Sequence, residues 1–462
     1  MKYDKGQKTI IFVVITTAFA TTFAGSALNL SIPDIGKEFG AGAGLVGWLV
    51  TAYMLTVAAL SVPFGRIADL SGRKRILTVG ILIFSLSAAA ASFGISIWML
   101  ILLRVMQGTG GAMIFSTSTA VLISAFPQKD RGKVLGLSIA STYVGLSAGP
   151  VVGGLLNHNL GWRWIFAVTA AIGFLVFVIA WRKLPAQTQE KTAADCYDWP
   201  GSLLYVGMIV LTMYGLSELS TDPVPVGMLA AGILLGIFFV RREWRMKEPV
   251  VQIRMFRSNP AYSFSNLAAL LNYGATFAIG YLMSIYLQVV MGYSSQTAGL
   301  ILIVQPALMA LLSPYTGRLS DRISPFKLAS FGMALCAAGL LVFSFAGRET
   351  PLWVIIAGLV ITGVGFAFFS SPNTNAVMDC VEKKDYGVAS SILATMRSIG
   401  HTASMVAVTA IVSVYMGNQE LTEASPRLLI KTVHTAFLIF TAVCGAGILI
   451  SLKRKTKQQE RK

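Results

Sequence analysis

Long apolar runs alternate with short polar stretches along almost the whole chain. Fourteen such runs, at residues 9–32, 45–64, 76–91, 98–126, 134–156, 164–181, 201–216, 226–240, 261–290, 297–315, 328–345, 352–370, 388–415 and 433–452, are on the scale of a helix that crosses a bilayer. An even number of crossings returns both termini to one side. Most of the basic residues fall on that side, in clusters such as Arg66, Arg73, Lys74 and Arg75 after the second run and Arg241, Arg242 and Arg245 after the eighth. The other side carries only Lys37, Arg163, Arg348, Arg427 and Lys431. The positive-inside rule therefore places both termini in the cytoplasm of a multi-pass cell-membrane protein. A cleaved signal peptide is the alternative for the first run, because Lys8 precedes it and Ala18-Phe19-Ala20 resembles a cleavage site. That alternative leaves an odd number of spans and severs Asn29 and Pro33 from the run they continue.

One polar stretch recurs. Gly65-Arg66-Ile67-Ala68-Asp69-Leu70-Ser71-Gly72-Arg73, between runs two and three, returns weakly as Gly317-Arg318-Leu319-Ser320-Asp321-Arg322 between runs ten and eleven. The spacing fits six spans plus an inserted pair, so an all-α membrane protein built by duplication is expected. Its plan is a six-helix bundle over 1–182, a linker with two extra helices over 183–240, and a second six-helix bundle over 241–462.

Composition agrees with that plan and removes other classes. The chain is 55% hydrophobic and 12% charged, with a mean hydropathy of +0.69, whereas soluble domains carry about a quarter charged residues. A net charge of +17 first suggests nucleic acid, but the basic residues sit in short clusters between spans rather than on one face, so no nucleic-acid partner is expected. Cys336 and Cys444 lie in apolar runs, and His158, His401 and His434 are scattered without ligand spacing. No metal, cofactor or enzymatic cluster is expected, and no soluble domain is present to make the chain a sensor.

Three motifs carry chemistry. In the repeated stretch the glycines Gly65 and Gly72 turn the chain and Arg73 fixes topology, but carboxylates contribute little to topology, which leaves Asp69 and Asp321 as candidates for holding one conformation. In span four, Arg104, Gln107, Gly108 and Gly111 share one helix face. An arginine at that depth costs at least about 2.5 kcal/mol, so it faces a cavity or a partner helix. In span five, Gly145, Gly149 and Gly153 form a smooth stripe beside Pro150 and Gly154, which permits close helix contact and bends the helix.

Together these strings resemble the major facilitator superfamily, with its GxLaDrxGrkx, RxxqGxgaa and gxxxGPxxGG motifs. Gly161-Trp162-Arg163-Trp164, Asp198-Trp199-Pro200-Gly201 and Arg397-Ser398-Ile399-Gly400 extend the resemblance to the fourteen-span drug:proton antiporter family. The resemblance implies export of amphipathic small molecules by alternating access, with protons as the coupling ion, Arg104 and Gln107 in coupling, and a monomer in the bilayer. Span thirteen places Arg397, His401 and Ser404 on one face, and a histidine beside an arginine makes Arg397 and His401 further candidates for transport and proton coupling, a structural histidine being the alternative. With Ser26 and Asn29 of span one and Asn373 and Asn375 of span twelve, these are expected to line one midplane cavity. The family often has an aspartate in span one where this chain has Ala24. A cavity with Arg104, Arg397 and His401 and no clear carboxylate disfavours permanent cations, so a dedicated exporter of one neutral or anionic metabolite is the alternative. Glu218 and Asp34 are the first carboxylates to suspect should that lining be incomplete.

Overall fold

The computed structural model describes residues 3–184, 197–218, 223–246, 256–257, 259–320, 322–381, 386–416 and 425–452, and among them the chain is helical with no strand. The helices are α1 (Lys5–Phe39), α2 (Ala43–Ser71), α3 (Arg73–Ala91), α4 (Ile97–Ala125), α5 (Gln128–Leu160), α6 (Arg163–Lys183) and α7 (Trp199–Ser217). They continue as α8 (Pro223–Arg245), α9 (Pro260–Val290), α10 (Ser295–Ser320), α11 (Pro325–Ser344), α12 (Leu352–Asp379), α13 (Tyr386–Met416) and α14 (Pro426–Leu452). Among the described residues 13 helices are long and apolar enough to cross a membrane. The remaining expected span, α5, is a helix of 33 residues.

Local chemistry explains where the helices begin. Asp4 and Gln7 close a capping box on α1, and Ser96, Asn259 and Ser294 each accept an N–H from the first turn of α4, α9 and α10. The stretch from Gly65 to Ser71, expected as a loop, is instead the last part of α2. Its turn is carried by Gly72 alone, at φ 105°, a conformation that strains any residue with a Cβ.

Helices α1 to α6 pack with one another, α9 to α14 do the same, and α2 with α13 and α5 with α10 join the two groups. The inserted α7/α8 hairpin lies outside this ring. Its inner helix α7 touches both α2 and α13, burying Tyr205, Ile209 and Met213 against Leu55, Ala58 and Val406. The Tyr205 hydroxyl donates to the Ala58 carbonyl at 3.2 Å, and the Trp48 indole N–H donates to Glu218 at 2.9 Å. The hairpin thus covers one of the two seams between the bundles. Asp198 caps α7 and pairs with Arg242 of α8 at 2.7 Å. Burial pushes its carboxyl upward, but the Arg242 and Gly201 N–H donors outweigh that and hold it below the usual carboxylate range.

Three helices are interrupted. α1 tightens to a 3-10 turn at Leu28–Ser31, just before Pro33, and α10 breaks at Ile303. α9 breaks near its middle, at Phe277–Ala278, and ends in a π-helix over Tyr286–Val290. Broken backbone at membrane depth is tolerated where protein groups or a cavity satisfy the freed bonds. Here the Ser404 hydroxyl of α13 accepts the Ala278 N–H at 3.1 Å.

Candidate functional site

The two expected membrane arginines occupy different surroundings. Arg104 is fully buried between α4 and α2, where its Nε donates to the Leu49 carbonyl at 2.8 Å and its Nη1 to Gln107 Oε1 at 2.7 Å. Its guanidinium carbon lies 4.3 Å from the centre of the Tyr53 ring. Close approach makes this possible: a Cβ on Gly108 would lie 2.8 Å from the Tyr53 carbonyl oxygen, so α4 rests directly on the α2 backbone. Arg104 Nη2 and Gln107 Nε2 have no partner. Ala24 belongs to the same buried apolar cluster as Tyr53, the ring on which Arg104 stacks.

Arg397 is only partly buried and lies over the Tyr273 ring, 5.0 Å to its centre. The Tyr273 hydroxyl shares a hydrogen bond with Ser370 Oγ at 3.1 Å, and the Tyr143 hydroxyl shares one with the same oxygen at 2.8 Å. Tyr143 comes from α5 of the first bundle; Tyr273, Ser370 and Arg397 come from α9, α12 and α13 of the second. One turn along α13, His401 stacks on Phe277 with ring centres 4.2 Å apart and meets Tyr273 edge-on at 5.3 Å. Phe366 and Phe369 close the opposite side of Tyr273 at 5.3 and 6.0 Å. The result is an aromatic, hydroxyl-rich cluster around one arginine, at the break in α9 and between the bundles.

The other expected cavity residues are dispersed. Ser26 donates to the Thr22 carbonyl and abuts Gly149, where an added Cβ would overlap its Oγ and lie 3.0 Å from the Ala27 nitrogen. The stripe of Gly145, Gly149 and Gly153 therefore receives α1, while a Cβ on Gly154 would strike Ser295 of α10. Pro150 also faces α10, its carbonyl lying against Gly299. Asn29 accepts from Ser284 Oγ through its carbonyl at 2.8 Å, and its own Oδ1 is buried without a partner. Asn373 donates to the Ser265 carbonyl at 3.3 Å, and Asn375 donates to Ser320 Oγ at the end of α10. Asp69 pairs with Arg73 at 2.9 Å on the face that carries the termini, with Gly65 and Gly72 on the same stretch, whereas Asp321 lies outside the described residues. Of the two suspected carboxylates, Glu218 receives the Trp48 indole N–H and Asp34 the Asn157 amide, both at the opposite face.

Tyr143, Tyr273, Ser370 and Phe277 belong to no motif. A signal for the tyrosines was present nonetheless: membrane tyrosines favour the interfaces, so a tyrosine at the middle of a span needs a polar reason to be there.

Among the described residues, hydrogen bonds join Thr51 with Thr409, Thr402 with the Met54 carbonyl, Ser284 with the Asn29 carbonyl, Ser295 with the Gly154 carbonyl, and Tyr143 with Ser370. All lie near mid-depth or toward the face opposite the termini.

Comparisons with known proteins agree with this architecture. The family described as Major Facilitator Superfamily matches residues 14–241 and 265–462. The riboflavin transporter RibZ of Clostridioides difficile is 27% identical over 458 residues, covering 97% of this chain and 98% of its own length. The multidrug transporter protein MdtP of Bacillus subtilis is 26% identical over 420 residues, covering 90% of this chain and 77% of its own. Among solved structures, a bacterial homolog of the human lysosomal transporter Spinster, inward-facing and occupied, superposes with a TM-score of 0.71 at 14% identity, covering 98% of this chain and 97% of that one.

Proposed function

Since this chain belongs to the Major Facilitator Superfamily, a multi-pass membrane transporter family, we propose that it is a secondary active exporter of amphipathic small molecules, of the fourteen-span drug:proton antiporter type. The observation that carries this reading is the mid-depth cluster of Tyr143, Tyr273, Ser370 and Arg397, to which both bundles contribute. In this reading the basic loops put both termini in the cytoplasm and the protein in the cell membrane. A substrate thus enters from the cytoplasm, sits between the bundles, and leaves when the bundles rock about it. In this reading protons are the counter-ion, Arg104 and Gln107 couple the α2–α4 contact to that exchange, the glycine stripe and the Asp69 turn govern the rocking, and the working unit is a monomer.

A second reading, dedicated export of one neutral or anionic metabolite, is favoured by the absence of any Asp or Glu contact to Arg104 or Arg397 among the described residues. The names of the relatives point both ways, one transporter being for riboflavin and another for many drugs. Cells expressing the protein, compared with cells that do not, are to be tested for accumulation of a panel of neutral, anionic and cationic amphiphiles. Lowered accumulation of many compounds supports the broad exporter, and lowered accumulation of a single compound supports the dedicated one. Unchanged accumulation across the panel removes both.

A further inference from the structure

We infer that the cluster around Arg397 is an anion subsite, which takes the carboxylate of an aromatic acid while the neighbouring rings hold its aromatic body. This rests on the exporter reading and adds to it the class of substrate. Five observations meet at one place. The first is the break of α9 at Phe277–Ala278, one turn from Tyr273, at the depth where interrupted helices hold substrates in other membrane transporters. The second is that Arg397 is the less enclosed arginine of the pair: Arg104 is fully buried, whereas Arg397 is half-buried as a residue, and its buried Nε is without an acceptor.

The third is the character of the nearby polar groups. Tyr143, Tyr273 and Ser370 present hydroxyls, each able to donate, and no carboxylate joins them among the described residues. A membrane-depth arginine without an internal counter-charge is costly, and a ligand that brings the negative charge offsets that cost. The fourth is shape. A guanidinium meets a carboxylate through two parallel bonds, a match that a lysine ammonium lacks. The fifth is the apolar surround: His401 stacks on Phe277, and Phe366 and Phe369 meet the Tyr273 ring edge-on, so a flat ring system brought to this arginine meets aromatic side chains. Because Tyr143 belongs to one bundle and the other groups to the second, a carboxylate held here touches both moving parts.

The test uses three probes with one body and different heads: 1-pyrenebutyrate, its neutral amide, and the corresponding trimethylammonium cation. Binding to the purified full-length protein in detergent is followed by pyrene fluorescence, and movement into vesicles by the same signal. The unmodified protein is expected to bind the carboxylate at least about tenfold more tightly than the cation, as a charge-assisted contact implies. Arg397→Gln is expected to erase that preference while changing affinity for the amide by less than about twofold. Arg397→Lys should restore only part of it. Tyr143→Phe with Ser370→Ala, which keeps the arginine, is expected to weaken carboxylate binding by about fivefold and carries the test should Arg397→Gln elute aggregated. Equal binding of carboxylate and cation by the unmodified protein overturns the inference, as does an equal loss of all three probes in Arg397→Gln. Transport of the amide without any preference for the carboxylate sinks the subsite and leaves the exporter standing. Failure to bind any of the three also overturns the subsite, and the exporter falls with it only if cellular accumulation of every panel compound is unchanged.

Discussion

Arg104 and Arg397 are chemically identical residues, each stacked on a tyrosine at membrane depth, yet one is fully enclosed and the other half-buried. Arg104 is enclosed within one bundle, held by a backbone carbonyl and by Gln107 three residues along its own helix. Arg397 stands between bundles, beside hydroxyls contributed by three other helices. The first arrangement locks two helices of a rigid body together. The second leaves a charge beside groups of both bundles. Desolvation penalises both cations, and the difference lies in what relieves it: fixed protein dipoles for Arg104 and, in the proposed reading, an incoming anion for Arg397.

The largest effect that sharpens this contrast is expected from Arg104→Ala. It removes the donors to Leu49 and Gln107 and empties the space over Tyr53, so transport should fall to background for every substrate regardless of charge. Insertion should persist, with thermal stability lowered by about 2 to 4 kcal/mol. Arg104→Lys should rescue poorly, because an ammonium does not reproduce the forked contact. Normal transport by inserted Arg104→Ala removes the residue from the mechanism and breaks the comparison from its enclosed side.

Gly149→Val comes next. The valine would press on Ser26 and the Ala27 backbone, forcing α1 away from α5 at about 1 to 3 kcal/mol, the usual cost of overpacking. Vesicle transport should drop sharply while ligand binding in detergent persists, since the Arg397 cluster is elsewhere. A normal transport rate in Gly149→Val shows that close α1–α5 contact is not needed for switching.

Ala24→Asp tests the enclosed arginine by supplying a carboxylate in the cluster that holds Tyr53, the ring on which Arg104 stacks. Selectivity should shift toward lipophilic cations by several-fold, measured as export of a quaternary ammonium dye against a neutral analogue, while the preference set by Arg397 for anions should diminish rather than vanish. Unaltered selectivity shows that position 24 does not sense substrate charge. The smallest effect is expected from Asp69→Asn. The pair with Arg73 is exposed and i,i+4, so folding stability should change by less than about 0.5 kcal/mol, with turnover slowed more than binding. Unchanged turnover removes Asp69 from the switching mechanism.

The helical plan was legible because hydrophobic run length is a direct consequence of bilayer thickness, and the Arg104–Gln107 contact was legible because i and i+3 share a face. Distant partners were not. Tyr143 and Ser370 lie 227 residues apart in sequence, and nothing local in either helix specifies the meeting. Ser26 shows the opposite failure: its face on α1 is polar as expected, but the glycines that make room on α5 claim that face for helix contact. The break in α9 was likewise hidden, since Phe277 and Ala278 carry no proline or glycine and the bond they release is recovered by Ser404, far along the chain.

The account rests most on substrate moving between the bundles against a gradient. Purified protein reconstituted into vesicles with its termini face outward, given an acidic lumen and 1-pyrenebutyrate outside, measures this directly. Accumulation above protein-free vesicles that collapses when the pH gradient is dissipated, and that is absent in Arg104→Ala, is the predicted result. Accumulation no greater than in protein-free vesicles for the acid, its amide and the cation alike would contradict it.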